Sequence, residues 1–177
     1  MASIISHPAI PLALTVAFGS RIVPARLVVF GVVCSILPDL DAIGFRAGIP
    51  YGHPLGHRGF SHSIVFALLV GAVSALFHRH LRASARAAFL FTFVSTASHG
   101  LLDALTTGGL GVAFFSPFSN QRHFLPWRVI EVSPIGVAAF FSAWGRRVLS
   151  SELRWVWAPS AAFGFLGAAL RSLRGSA

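Results

Sequence analysis

RAAFLFTFVSTASHGLLDALTT, residues 86–107, carries the two most informative features of the chain. The first half of this stretch is apolar. The length of the whole stretch matches the ~20 residues that an α-helix needs to cross the hydrocarbon core of a bilayer. Its second half contains His99 and Asp103, whose i, i+4 spacing places both side chains on one helical face. Ionisable groups inside an apolar segment are costly and point to function. The stretch therefore predicts a membrane helix that carries part of a functional site.

Five more apolar stretches accompany this one in a chain of 177 residues. Hydrophobic residues make up 55% of the sequence and charged residues 11%, whereas a soluble domain carries about 25% charged residues. This balance excludes a disordered chain and argues against a freely soluble globule. We predict an all-α, polytopic transmembrane bundle of about five to six spans, forming a single integral membrane domain over residues 1–177. The additional stretches are residues 4–20, 22–38, 62–78, 132–146 and 154–170.

The 14 basic residues are all arginines, and they punctuate the ends of the apolar stretches. This pattern is typical of membrane helix ends, so the net charge of +9 does not indicate nucleic acid binding. Alternating the spans puts eight arginines on one side and six on the other. The positive-inside rule then predicts that the first side is cytoplasmic, and that the N-terminus and the long loops 39–61 and 108–131 are not. The first stretch lacks the positive start of a signal peptide.

The second apolar stretch ends in LPDLD, residues 37–41. Pro38 disfavours a continued helix, so we expect Asp39 and Asp41 to project from an irregular terminus. Their i, i+2 spacing would let two carboxylates reach one cation or two adjacent cations. The alternative is a pair of solvated loop acids.

The third apolar stretch opens with HRGFSHS, residues 57–63. Its glycine allows the backbone to turn, and we interpret its two serines as turn and cap residues. His57 and His62 can then point into one pocket. The alternative is a pair of interfacial histidines beside lipid headgroups, just as His99 and Asp103 could form a simple intrahelical hydrogen bond.

Alternation of the spans brings these motifs to the same membrane face, together with a histidine at the start of the first stretch. Imidazole and carboxylate ligands suit zinc, manganese or iron, and the single Cys34 excludes a thiolate site built from several cysteines. A zinc ion with an open position needs only three protein ligands, so the set predicts two or three divalent transition metal ions, most simply zinc. The predicted ligands are His7, Asp39, Asp41, His57, His62, His99 and Asp103.

In order and type, the motifs resemble those of the YdjM-like bacterial inner membrane proteins over about residues 1–140. That family is described as membrane-bound, metal-dependent hydrolases. It is distantly similar to zinc-dependent phospholipase C and related nucleases, all-helical enzymes that bind three zinc ions and share a His-x-x-x-Asp helix motif. The resemblance implies an inner membrane location and phosphoester hydrolysis, with His99 and Asp103 as metal ligands. The motifs that carry it are residues 37–41, 57–62, 99–103, 116–119 and 126–127.

The predicted function is hydrolysis of a phosphoester in a lipid or lipid-linked substrate by a metal-activated water. Arg58 and Arg122 are candidate phosphate clamps, because a guanidinium can bind a phosphate bidentately. Phe124 and Trp127 could lie at headgroup level, and the alternative is a packed interfacial loop.

Two other functions compete: a metal-binding membrane transporter or sensor, and a structural membrane protein whose His–Asp pairs lock helices. A transporter should carry polar residues through the membrane midplane, whereas these collect at one end.

Overall fold

The computed structural model describes residues 1–134 and 137–175, and every regular element in those ranges is helical. Pairing between extended segments is limited there to isolated bridges, such as the one between Val112 and His123. The predicted all-α class is therefore confirmed. The α-helices are α1 (Ala9–Phe18), α2 (Ala25–Ile36), α3 (Ile64–Leu76), α4 (Ala85–Ala104), α5 (Val137–Phe140), α6 (Ala143–Glu152) and α7 (Ala158–Gly175).

Helix α4 lies at the centre and packs against both α2 and α3. The Ser84 hydroxyl accepts a hydrogen bond from the Ala87 amide and so caps the start of α4. Gly31 of α2 lets α2 and α4 approach closely, because a Cβ at this position would lie 2.2 Å from Cε1 of Phe91 in α4. Close packing through small residues is typical of helix contacts in membranes.

Helix α1 packs against α7 in the same way. A Cβ added at Gly167 would lie 2.6 Å from the Cβ of Ala17, and one at Gly164 would lie 3.2 Å from the Ala13 carbonyl oxygen. The C-terminal helix thus covers the first helix through glycine and alanine contacts, which require no large apolar side chains between them.

The α-helical hydrogen-bonding of α2 ends at Ile36, as Pro38 predicts, but the chain does not become irregular. It continues as a 3₁₀-helix over Leu37–Ala47. Residues two apart in a 3₁₀-helix point about 120° away from each other, since that helix has about three residues per turn. Asp39 and Asp41 therefore face different neighbours, and the expectation that both emerge from an irregular terminus is corrected.

One helical run in the described residues, Ala25–Ala47, is long and apolar enough to cross a bilayer. It has 23 residues and a mean hydropathy of 1.9 over its best window. The apolar helices α1 and α3 have 10 and 13 residues, or about 15 and 20 Å at about 1.5 Å per residue. Both are shorter than the ~30 Å hydrocarbon core.

The stretch predicted as a fifth span, residues 132–146, does not form one helix in its described part. Residues 135–136 lie outside the described ranges. Helix α5 ends at Phe140, and Ser142 is extended (φ −113°, ψ −179°) because its hydroxyl caps α6 by accepting from the Trp144 amide. A capped helix start interrupts the preceding helix, so the apolar run is divided between two elements.

Candidate metal centre

The structure brings all seven predicted ligands together at one end of the bundle. The turn before α1, the 3₁₀-helix after α2, the turn before α3 and the end of α4 each contribute side chains. Six of the seven could form two overlapping groups of metal ligands that share His62. The first group is Asp39, His62, His99 and Asp103, and the second is Asp41, His57 and His62.

A backbone carbonyl sets the protonation of the His99 ring. Its Nδ1–H donates to the Ser35 carbonyl oxygen at 2.7 Å, and that oxygen can only accept. In the neutral ring the Nε2 lone pair therefore points into the centre. The next residue, Gly100, lets the turn that carries His62 approach, because a Cβ there would lie 2.8 Å from the His62 carbonyl oxygen.

A serine and a carboxylate set the protonation of the His62 ring. The Ser61 hydroxyl donates its single hydrogen to Asp41 Oδ2 at 2.6 Å, so its oxygen accepts from His62 Nδ1–H at 3.0 Å. The Nε2 atoms of neutral His62 and His99 then face each other, 3.1 Å apart. Two facing lone pairs repel, so this pair favours a proton or a metal cation between the rings.

The distances between donor atoms fit a small tetrahedral ion. Metal–ligand bonds of about 2.0–2.2 Å give a tetrahedron with edges of about 3.3–3.6 Å. Asp39 Oδ1 lies 3.3 Å from His99 Nε2 and 3.8 Å from His62 Nε2. Asp103 Oδ2 lies 3.6 Å from His62 Nε2. Together with the 3.1 Å separation of the two ring nitrogens, these distances approximate the edges of such a site.

His7 lies against the other side of this set. Its ring stacks on His99 with centroids 3.6 Å apart, and its Nε2 lies 3.8 Å from Asp39 Oδ2 and 4.0 Å from Asp103 Oδ1. Both ring nitrogens of His7 and both carboxylate oxygens of Asp39 are buried without a hydrogen-bond partner. Buried polar atoms are normally satisfied, so four such atoms on two adjacent side chains need an explanation, and a bound cation supplies one.

Arg58 is completely buried and forms an ion pair with Asp103. Its Nε–H donates to Asp103 Oδ2 at 3.0 Å, while its two terminal nitrogens donate to the Gly108 carbonyl and to the Thr106 hydroxyl, each at 2.9 Å. The other Asp103 oxygen accepts from the Ala2 amide at 2.6 Å. The pair thus orients Asp103 toward the histidines. The role of Arg58 as a phosphate clamp stays a prediction.

Arg122 connects the two long loops. It donates to the carbonyl oxygens of His57 and Tyr51, each at 2.9 Å, and its guanidinium carbon lies 5.5 Å from the centre of the Tyr51 ring. Burial lowers the pKa of the Arg122 guanidinium and raises the pKa of the Tyr51 phenol. Arg122 therefore holds the backbone around His57, and its role as a phosphate clamp likewise stays a prediction.

Glu152 is a buried acid that lies outside the sequence motifs, and it supports the site from the C-terminal helices. It accepts from the Ser3 amide, and from the hydroxyls of Ser3 and Ser6 at 2.6 and 2.8 Å. Ser6 in turn accepts from Trp157 Nε1–H at 3.2 Å. These bonds fix the turn immediately before His7. No sequence spacing links residue 152 to residue 3, so only the fold could reveal this contact.

The fold and this cluster define an all-helical protein with a buried His/Asp centre, suited to a divalent transition metal. The YdjM inner membrane protein family model matches residues 1–175, and the chain belongs to that family. The chain is 42% identical over 160 residues to "Inner membrane protein YbcI" of Escherichia coli (strain K12), covering 90% of this chain and 92% of that protein. No solved structure matches the chain.

These comparisons confirm the family expected from the motifs and support a location in the bacterial inner membrane. The family match also extends past residue 140, the limit of the motif-based resemblance, and so includes the C-terminal helices. This agrees with the contact between Glu152 and the turn that carries His7.

Proposed function

We propose that the chain is a membrane-embedded, metal-dependent hydrolase that cleaves a phosphoester in a lipid or lipid-linked substrate. The observation that carries the proposal is the contact among unsatisfied buried donor atoms of His7 and Asp39 beside the facing nitrogens of His62 and His99. Such a set stays intact in a folded protein when a cation compensates it, and these nitrogen and oxygen donors suit zinc, with manganese or iron as alternatives.

The two oxygens of Asp39 and of Asp103 could serve two adjacent ions. One oxygen of each carboxylate faces His62 or His99, and the other lies near His7. Divalent ions bound here would lower the pKa of a water molecule and offset the charge that develops on a phosphoryl oxygen. Arg58 would keep Asp103 charged and oriented for this task.

A lipid substrate is favoured by exposed aromatic side chains on the loop that follows α4. Phe118 and Trp127 are 87% and 77% exposed on the loop that follows α4. On the same loop, the Arg128 guanidinium lies 4.7 Å from the centre of the Phe124 ring. In membrane proteins, aromatic and arginine side chains of this kind lie at the level of the lipid headgroups, where a lipid phosphate would be found.

We propose further that the chain crosses the membrane five to six times, with the metal centre at the non-cytoplasmic face. Large apolar side chains on the outer faces of the helices support this: Val29 of α2, Leu76 of α3 and Phe165 of α7 are 66%, 81% and 70% exposed. An outer surface of this kind is suited to lipid. Arginines at the helix ends can extend to the headgroups and so help short helices to span.

Cysteine labelling tests this topology. In a Cys34→Ala background, Leu55→Cys and Arg79→Cys place one exposed thiol on each side of α3. We expect a membrane-impermeant maleimide to label residue 55 from outside intact spheroplasts, and residue 79 only after permeabilisation. The reverse result would contradict the orientation, and labelling of both from one side would contradict a span at α3.

An activity assay tests the hydrolase. We expect the purified protein, reconstituted with zinc or manganese, to release product from a phospholipid or a chromogenic phosphodiester. Asp39→Asn should reduce turnover to background because it removes a charged ligand without changing the shape of the side chain. Exposed His80→Ala is the control and should retain wild-type turnover. Turnover that persists in Asp39→Asn would refute the site, while metal binding without any turnover would favour the transporter or sensor.

A further inference from the structure

The two aspartates of the 37–41 motif have opposite hydrogen-bonding environments. Neither oxygen of Asp39 has a hydrogen-bond donor, although both are buried. Both oxygens of Asp41 are occupied. Oδ1 accepts from His57 Nδ1–H at 2.7 Å, and Oδ2 accepts from the Ser61 hydroxyl at 2.6 Å and from the Arg58 amide at 3.2 Å. Asp41 is thus held on the turn before α3, whereas the two unpartnered oxygens of Asp39 lie 3.3–3.8 Å from ring nitrogens of His7, His62 and His99.

The 3₁₀ geometry explains why two neighbouring acids differ in this way. Because residues two apart diverge by about 120°, Asp39 faces α4 while Asp41 faces the turn before α3. His62, on the turn before α3, has different neighbours at its two ring nitrogens. Nδ1 lies 3.0 Å from the Ser61 hydroxyl and 3.1 Å from Asp41, and Nε2 faces His99.

We propose that Asp41 is a positioning residue and not a metal ligand: through Ser61 it holds His62 in the tautomer that turns its Nε2 lone pair toward Asp39 and His99. This inference rests on the proposed metal centre and assigns its aspartates separate roles. Carboxylates that orient metal-binding imidazoles commonly contribute 10- to 100-fold to metal affinity. His57 donates its Nδ1–H to Asp41 and is oriented by the same carboxylate.

Cobalt(II) binding separates the two roles, because its visible absorption reports the number and type of ligands. Wild-type protein in detergent is titrated with Co²⁺ after metal removal, alongside Asp39→Asn, Asp41→Asn and Ser61→Ala. We expect Asp41→Asn and Ser61→Ala to keep the wild-type spectrum and stoichiometry while the dissociation constant rises by about 10- to 100-fold. Asp39→Asn should change the spectrum or abolish binding, since it removes a ligand.

The outcomes distinguish this inference from the proposed function. A wild-type protein that binds no Co²⁺ would overturn both. Wild-type binding together with a changed spectrum in Asp41→Asn would overturn only the positioning role, as would an unchanged affinity in both Asp41→Asn and Ser61→Ala. Ser61→Ala breaks the same connection by removing one hydroxyl, so it decides the question if Asp41→Asn does not fold.

Discussion

His99→Ala is expected to empty the metal centre. The wild-type protein, purified in detergent without chelators, should carry about one or more transition metal ions per chain, and the variant should fall to background by elemental analysis. The reason is that His99 Nε2 lies within 3.1–3.3 Å of both a second imidazole and the Asp39 carboxylate. No other side chain in the described part of α4 offers an imidazole nitrogen there.

Two further variants make this result interpretable. His80→Ala removes an exposed imidazole from the loop between α3 and α4, and it should keep the wild-type metal content. His99→Gln retains more volume and can still donate to the Ser35 carbonyl, so it separates loss of the ligand from collapse of the helix packing. A His99→Gln protein that folds and still retains all its metal would contradict the assignment, as would a wild-type protein with less than about one ion per chain.

Arg58→Ala is expected to destabilise the protein more than any other single change at the site. Breaking a buried ion pair by removing one partner costs about 3–5 kcal/mol of the free energy of unfolding. Here the loss leaves the fully buried Asp103 carboxylate without its guanidinium, and also removes the guanidinium hydrogen bonds to the Thr106 hydroxyl and the Gly108 carbonyl. We expect aggregation or a large fall in the thermal unfolding midpoint in detergent.

The control for this change is Arg46→Ala, which removes an exposed arginine and should shift the free energy of unfolding by less than about 0.5 kcal/mol. Arg58→Lys should be intermediate, because an ammonium can pair with Asp103 but cannot reach three acceptors in the geometry of a guanidinium. If Arg58→Ala unfolds at the wild-type temperature and only substrate binding weakens, the phosphate clamp is correct and the positioning role is wrong.

The metal centre shows which features of a site can be predicted from sequence motifs. The position of His99 and Asp103 on one helical face follows from helical periodicity, which is local and applies to any α-helix. The separate roles of Asp39 and Asp41 could not be predicted, because the spacing alone does not distinguish an irregular terminus from a 3₁₀-helix. The tautomer of His99 depends on the Ser35 carbonyl, and a backbone acceptor leaves no mark in the sequence.

The sequence by itself determined the helical class, the family and the set of candidate ligands, because apolar stretches and motif spacings are properties of short segments. Only the tertiary structure decided which hydrogen-bond partners each of those candidate ligands has. It buried Arg58 against Asp103, tied Glu152 to the turn before His7, and left Asp39 without a donor while Asp41 received several. The physical reason is that a hydrogen-bond partner is chosen by distance and direction in the folded chain, and residues far apart in sequence meet only there.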